Sequence, residues 1–263
     1  MEFREIEHVM TNIQPVKSLS EYISAVNHIS HTFTDNLWYR GHSKDTYLNL
    51  PTILRKDTWV DDDYSYRTEY DIFKTFKRKC KIHKETDYEY LHLMQHFGLP
   101  TRLLDWTESS LTALFFAIKN SEECKQPVVW IIDPWDFNNI LHHEKVVFDF
   151  YGKLVHKKVD SYINPSHDHT NNMPDLPIAV MPSFYDERLI AQKSGFILFG
   201  KDKTPLEELV KRDDYFNLAK INIDTESSSD ILTDLIMAGV DFHSVYPDLY
   251  GLVNQIKMKW NLK

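Results

Sequence analysis

The sequence predicts an α+β fold, a single large domain with a central mixed or antiparallel sheet flanked by helices. Three observations predict it. Apolar residues recur at helical spacing in some segments, and alternate or run continuously in others. The two kinds of segment do not alternate regularly, as a doubly wound α/β sheet would require. Glycine is scarce, 7 in 263 residues, and neither G-x-G-x-x-G nor G-x-x-x-x-G-K-[ST] occurs, which argues against Rossmann and P-loop scaffolds. With 42% hydrophobic residues, the chain can bury a sizeable core.

The elements follow in order. Residues 1–36 read as a helical lead-in, with a helix over 18–33 carried by Leu19, Tyr22, Ile23 and Val26 and capped by Ser18 or Ser20. Residues 37–263 read as the α+β domain. Leu37-Trp38-Tyr39-Arg40-Gly41-His42 is a short aromatic strand ended by Gly, and 43–60 are irregular around Pro51. Tyr66, Tyr70, Phe73 and Phe76 line one face of a helix over 64–83. That periodicity marks them as core rather than as a base-stacking platform. A second helix covers 87–96 and is broken by Gly98 and Pro100. Thr107 or Ser109 caps a third, with Leu111, Leu114, Phe115 and Ile118 as its buried stripe.

Val128–Ile132 is a fully buried strand, followed by a short helix within 134–145. The polar, proline-flanked stretch 164–177 is a loop. Ile178–Val180, Phe196–Phe199 and Leu218–Ile223 read as strands. Leu206–Val210, Ser229–Met237 (ended by Gly239) and Tyr250–Trp260 read as helices.

A net charge of -9 disfavours non-specific nucleic-acid binding. The basic run Lys74–Lys84 is the exception, and reads first as a solvated helix face. Cys80 and Cys124 are too few for a disulfide framework, and no apolar run is long enough to span a membrane. A cytoplasmic protein is expected, without membrane association or specific nucleic-acid binding. No metal is expected: His142-His143-Glu144 and His167-Asp168-His169 lack a helical i, i+4 pair with a third ligand.

Two stretches carry the chemistry. In Trp38-Tyr39-Arg40-Gly41-His42, a fixed guanidinium stands beside a backbone with no side chain to block a ligand, and arginine offers a rigid donor fork for phosphate or carboxylate. The bland reading pairs Arg40 with an internal acid. In the stretch from Gln95 to Thr107, the polar residues Gln95, His96, Arg102, Asp105, Trp106 and Thr107 are packed between two apolar helices. Burial there demands partners. Arg102 and Asp105, three apart, are candidates to pair with each other. Asp105 and Thr107 lie where the next helix begins, a ready anion site. A structural salt bridge plus a helix cap is the competing account.

Tyr39-Arg40-Gly41, then QHFGLPTRLLDWTESSLTALFFAI, ERLIAQKSGFILF and YPDLYGL, resemble the FRG family, named for its aromatic-Arg-Gly motif. The resemblance runs from about Leu37 to Lys257 in the family's order. It implies a bacterial or phage-associated domain of poorly defined biochemistry. A more distant resemblance is to arginine-type ADP-ribosyltransferases. There, Tyr39-Arg40-Gly41 is similar to the first motif, and Asp105-Trp106-Thr107 with the helix after it to the second. Glu187 to Gln192 before Gly195-Phe196 stands for the third, without the Ser-Thr-Ser or the Glu-x-Glu of those enzymes. This resemblance implies NAD as cofactor. Arg40, Asp105, Glu187 and Gln192 would be the catalytic group, and Tyr39, Gly41, Gln95, His96, Arg102, Trp106 and Thr107 the ligand-binding residues. Glu187 or Gln192 would supply the polar group at the reacting carbon. Two function classes follow: a nucleotide-handling enzyme of a toxin or phage-defence context, or a non-enzymatic module that senses a ligand or binds a protein partner.

Overall fold

The apolar run Val128–Ile132 forms strand β5, all five residues of it buried, and the sheet is built outward from it. The computed structural model describes all residues except 1, 34–35, 62–63, 85, 121–123, 149–155, 164–172, 183–185, 213–215, 261 and 263. β5 pairs antiparallel with β3 (Trp38–His42) and with β8 (Leu218–Asn222). Beyond β3 lie β4 (Leu103–Thr107), β7 (Ser194–Leu198) and β6 (Ile178–Val180); beyond β8 lie β2 (Val9–Asn12) and β1 (Phe3–Ile6). The order is β1-β2-β8-β5-β3-β4-β7-β6; β2 and β8 run parallel, and the other neighbouring pairs of described strands antiparallel. The sheet is mixed and the fold is α+β.

Alternation along each strand sends side chains to two faces. On one face a continuous core runs across the sheet through Trp130, Trp38, Leu104, Trp106 and Ile197. On the other face the core is divided. One part packs Tyr39, Val129, Ile131 and Ile221 under α1 (Leu19–Thr32), α4 (Ser110–Ile118) and α9 (Ser228–Met237). A second part packs Leu103, Phe196 and Leu198 under α3 (Asp87–His96) and α6 (His156–Ile163). α2 (Tyr66–Lys79) lies against α3 through Phe73, Tyr90 and Met94. The remaining helices in chain order are α5 (Pro134–His142), α7 (Glu187–Ala191), α8 (Leu206–Leu209), α10 (Phe242–Val245) and α11 (Leu249–Lys259).

The capping expectations resolve in detail. Ser18 caps α1, accepting from the Glu21 amide, and Ser109 caps α4, accepting from the Thr112 amide. α3 starts with a full capping box between Thr86 and Glu89. Gly98 and Gly239 take left-handed φ values of 84° and 90°, as residues just beyond helix ends often do.

Three expectations are corrected. The lead-in is not wholly helical, because Phe3–Ile6 and Val9–Asn12 form a hairpin that extends the sheet. The Arg-Gly strand is central rather than ended by Gly41, and runs on to His42. Residues 103–107 are strand β4, not a connection between helices. Of the expected polar loop, residues 164–172, His167-Asp168-His169 included, lie outside the described residues.

Candidate functional site

β3 and β4 are neighbours but pair at a single position, Tyr39 with Thr107, whereas β3 pairs with β5 along its whole length. Beyond Tyr39 the two strands part, and a cleft of about 490 Å³ opens there. It also falls between the two helical clusters of the divided face. α3 lends His92, Gln95 and His96 to one wall; the ends of α4 and α10 lend Phe116, Lys119 and Tyr246 to the other. α7 and the residues around it add Asp186, Arg188 and Gln192.

Arg40 sits in the parting. Its Nε donates to His42 Nε2 at 3.0 Å, and one guanidinium arm donates to the Asp105 carbonyl on β4. Burial pushes its pKa down to about 10, opposed by the Asp105 charge and assisted by that of Arg55. Burial likewise holds His42 well below the usual histidine range, with Arg40 and Arg55 adding to the effect. A neutral imidazole accepts at Nε2, which fits the Arg40 contact.

Gly41 has a different role from the one its neighbours suggest. A Cβ there would stand 1.9 Å from the Ala113 carbonyl oxygen and 2.7 Å from the Ala117 nitrogen. The glycine lets α4 lie directly on β3, with small residues on the helix side of the contact. The expected open approach for a ligand is therefore replaced by a helix.

Asp105 is exposed at the cleft, and its Oδ1 accepts from Gln95 Nε2 at 2.7 Å. The Gln95 amide oxygen in turn accepts from the Thr101 hydroxyl. The expected Arg102–Asp105 pair does not form. Residues three apart share a helix face, but this segment is extended, and there they point to opposite faces. Arg102 is fully buried and outside the cleft. Its Nε donates to both Glu69 carboxylate oxygens, at 2.8 and 2.9 Å, and its other arms donate to the carbonyls of Phe199 and Tyr162. Burial alone would lower the Arg102 pKa, but Glu69, helped by Tyr64 and Tyr66, leaves it raised. Arg102 is a structural cation.

The other expected residues divide. Tyr39, Arg40, Gly41, Gln95, His96, Asp105, Trp106, Thr107 and Gln192 all line the cleft. His96 Nδ1 lies 3.0 Å from Asp186. Trp106 is 2% exposed and belongs to the core, which leaves little of its ring for stacking. Thr107 does not offer a helix N-terminus: it ends β4, its hydroxyl donates to the Gln192 carbonyl at 2.5 Å and accepts from the Ser109 amide at 3.0 Å. The Gln192 amide is held by the Val245 carbonyl at 3.1 Å. Glu187 is exposed and does not line the cleft, so the carboxylates at the cleft are those of Glu89, Asp105 and Asp186. Glu89 is engaged in the α3 capping box. His142 and Glu144 bind the Pro177 carbonyl and Lys158 separately.

Arg55, Lys84, Lys119 and Arg188 join Arg40 in the lining. Sequence reasoning missed Arg55 and Lys119, whereas Lys84 closes the basic run that reads first as a solvated helix face. Among the described residues, Arg40, Arg55, Lys84 and Lys119 form no ion pair with a carboxylate. Arg188 pairs with Asp248 at 3.0 Å, and its guanidinium lies 4.7 Å from the centre of the Tyr246 ring. Arg188 and Tyr246 do fall within the quoted ERLIAQ and YPDLYGL stretches. Lys119 directly follows the apolar helix, and Arg55 carries no signal at all.

Residues 35–126 match the family model of the FRG domain. The matched region includes β3, α2, α3, β4 and α4, and with them Arg40, Gln95, His96, Asp105 and Lys119. It ends before Arg188, Gln192 and Tyr246. Neither the curated proteins nor the solved structures include a match to the chain.

Proposed function

We propose that the cleft of this FRG-domain chain binds a nucleotide, with Arg40 and Arg55 at its phosphate. The carrying observation is that Arg40, Arg55, Lys84 and Lys119, in a walled cleft of an acidic chain, pair with no carboxylate among the described residues. Such cations are held at a cost unless an anion joins them. Arginine in particular matches phosphate oxygens with its fixed donor fork. Aromatic surface at the same cleft, from Tyr39, Phe116 and Tyr246, suits a flat ring. The cleft size is that of small-molecule sites in general.

NAD is the ligand to test first, since the resemblance to ADP-ribosyltransferases names it. Within that reading Asp105, not Glu187, is the carboxylate near Arg40. The Gln192 amide is already engaged by Val245, which favours binding over group transfer. The experiment is calorimetry with NAD, ADP-ribose and AMP on the wild type and Arg40→Ala, beside a nicotinamide-release assay. The expected result is nucleotide binding that Arg40→Ala weakens by about 1.5–3 kcal/mol, the worth of a charge-assisted hydrogen bond. No heat with any of the three would overturn the reading in favour of a module for another ligand. Nicotinamide release would add transferase or hydrolase chemistry to it.

A further inference from the structure

We infer that the cleft holds two anion subsites rather than one, the second formed by Lys119 and Arg188 beside Tyr246. The ligand class is then a nucleotide bearing two separate anionic groups. This rests on the nucleotide reading for the first subsite, but the second is argued from different residues.

The geometry begins with the sheet. Trp38 belongs to the continuous core face and Tyr39 to the divided one. Alternation therefore sends Arg40 and His42 toward the continuous face, and Gly41 toward α4. Arg55 follows a segment whose Ile53 and Leu54 pack on that same continuous face. Lys119 ends α4, and Tyr246 packs against the α4 cluster, on the divided face. One cleft reaches both groups because β3 and β4 part between them.

The second group is organised around Tyr246. Lys119 Nζ donates to the Tyr246 hydroxyl at 3.0 Å and lies 5.2 Å from the centres of the Tyr246 and Phe116 rings. Arg188 stands over the same Tyr246 ring. Two cations on one aromatic ring repel each other, and among the described residues the carboxylate paired with them, Asp248, binds Arg188 and not Lys119. Among the described residues, the Arg188 Nε is buried without a hydrogen-bond partner. Burial lowers the Lys119 pKa, Tyr250 opposes that and Arg188 adds to it, so the two cations sense each other across the ring. A phosphate between them would accept from both and relieve the repulsion.

The test uses inorganic phosphate and reads arginine Nε–H resonances by NMR, assigned with Arg40→Lys and Arg188→Lys. The expected result is two phosphates per chain, with separate isotherms at Arg40 and at Arg188. Lys119→Met should weaken the Arg188 isotherm by about tenfold or more, one charge-assisted hydrogen bond's worth. The dispersion of the same spectra reports whether each variant folds. A response at Arg40 alone overturns the second subsite and leaves the nucleotide reading standing. A response at Arg188 alone does the reverse. One phosphate per chain moving both resonances together overturns the division into two subsites, and no response at either overturns both proposals.

Discussion

Arg102 and Arg40 lie in similar sequence surroundings, an arginine beside a strand of apolar residues, yet they do opposite things. Arg102 has every arm engaged and is sealed from solvent. Arg40 has no carboxylate partner among the described residues and faces a cleft. The difference lies in Glu69, which comes from α2, 33 positions away. No local pattern in 95–107 could supply that partner, so the sequence suggested the nearest acid, Asp105. Glu69 is therefore the residue whose loss tests this buried pair. Glu69→Leu is expected to destabilise the fold by about 3–5 kcal/mol, because it strands a buried guanidinium. The double variant Glu69→Leu, Arg102→Met should recover part of that loss. Recovery stays incomplete because the Phe199 and Tyr162 carbonyls lose their donor. Urea unfolding of both variants measures it. Additive losses would show that the two side chains are not coupled.

At the scale of elements, the contact between β3 and α4 decides what the Arg-Gly motif is for. Gly41→Ala places a methyl group against backbone atoms of α4, which have no rotamer to escape to. Overpacking of this kind costs about 1–3 kcal/mol. Because α4 also carries Lys119 and Phe116 into the cleft, its displacement should weaken ligand binding as well. Thermal unfolding and calorimetry together check this, and a Gly41→Ala protein with an unchanged midpoint would show that α4 is free to shift. Much of this level was legible beforehand. Val128–Ile132 and Ile178–Val180 announce strands by unbroken apolar runs, and Tyr66 to Phe76 a helix by period. β4 was not, because its five residues contain Asp105 and run straight into the Thr-Glu-Ser-Ser stretch from Thr107, which looks like a helix start. β1 was hidden by the charges of Arg4 and Glu5, which an edge strand can carry because it is largely exposed, and β2 by its shortness, four residues of which two are the polar Thr11 and Asn12. The cleft residues on β3 and α3 were readable as clustered polar groups among apolar ones. Arg55 and Lys119 were not, since a lone cation in a sequence gives no hint of what it faces.

At the scale of the whole molecule, two buried histidines, His42 and His92, shape its behaviour toward acid. Burial pushes His92 down to about 3, with Lys84 adding a little, while its ring lies 4.2 Å from that of Tyr88 and 4.5 Å from that of Phe196, centre to centre. His42 is lowered too, by burial and then by Arg40 and Arg55. The sign follows from linkage. The unfolded chain takes up protons near the ordinary histidine value of 6.5, while the native state does not. Stability from these groups is therefore full above pH 6.5 and is lost as pH falls toward the native value. Between about pH 7.5 and pH 5 each such histidine should remove about 2 kcal/mol, at 1.4 kcal/mol per pH unit once the unfolded form is protonated. His92→Phe isolates one of them. The Nε2 of His92 has no hydrogen-bond partner among the described residues, and its ring already lies among aromatic ones, so the substitution keeps the packing and removes the titration. Urea unfolding at the two pH values should then show the variant losing about 2 kcal/mol less than the wild type on acidification. Equal losses would mean that His92 picks up its proton without unfolding, through an opening of the cleft wall between α3 and β7.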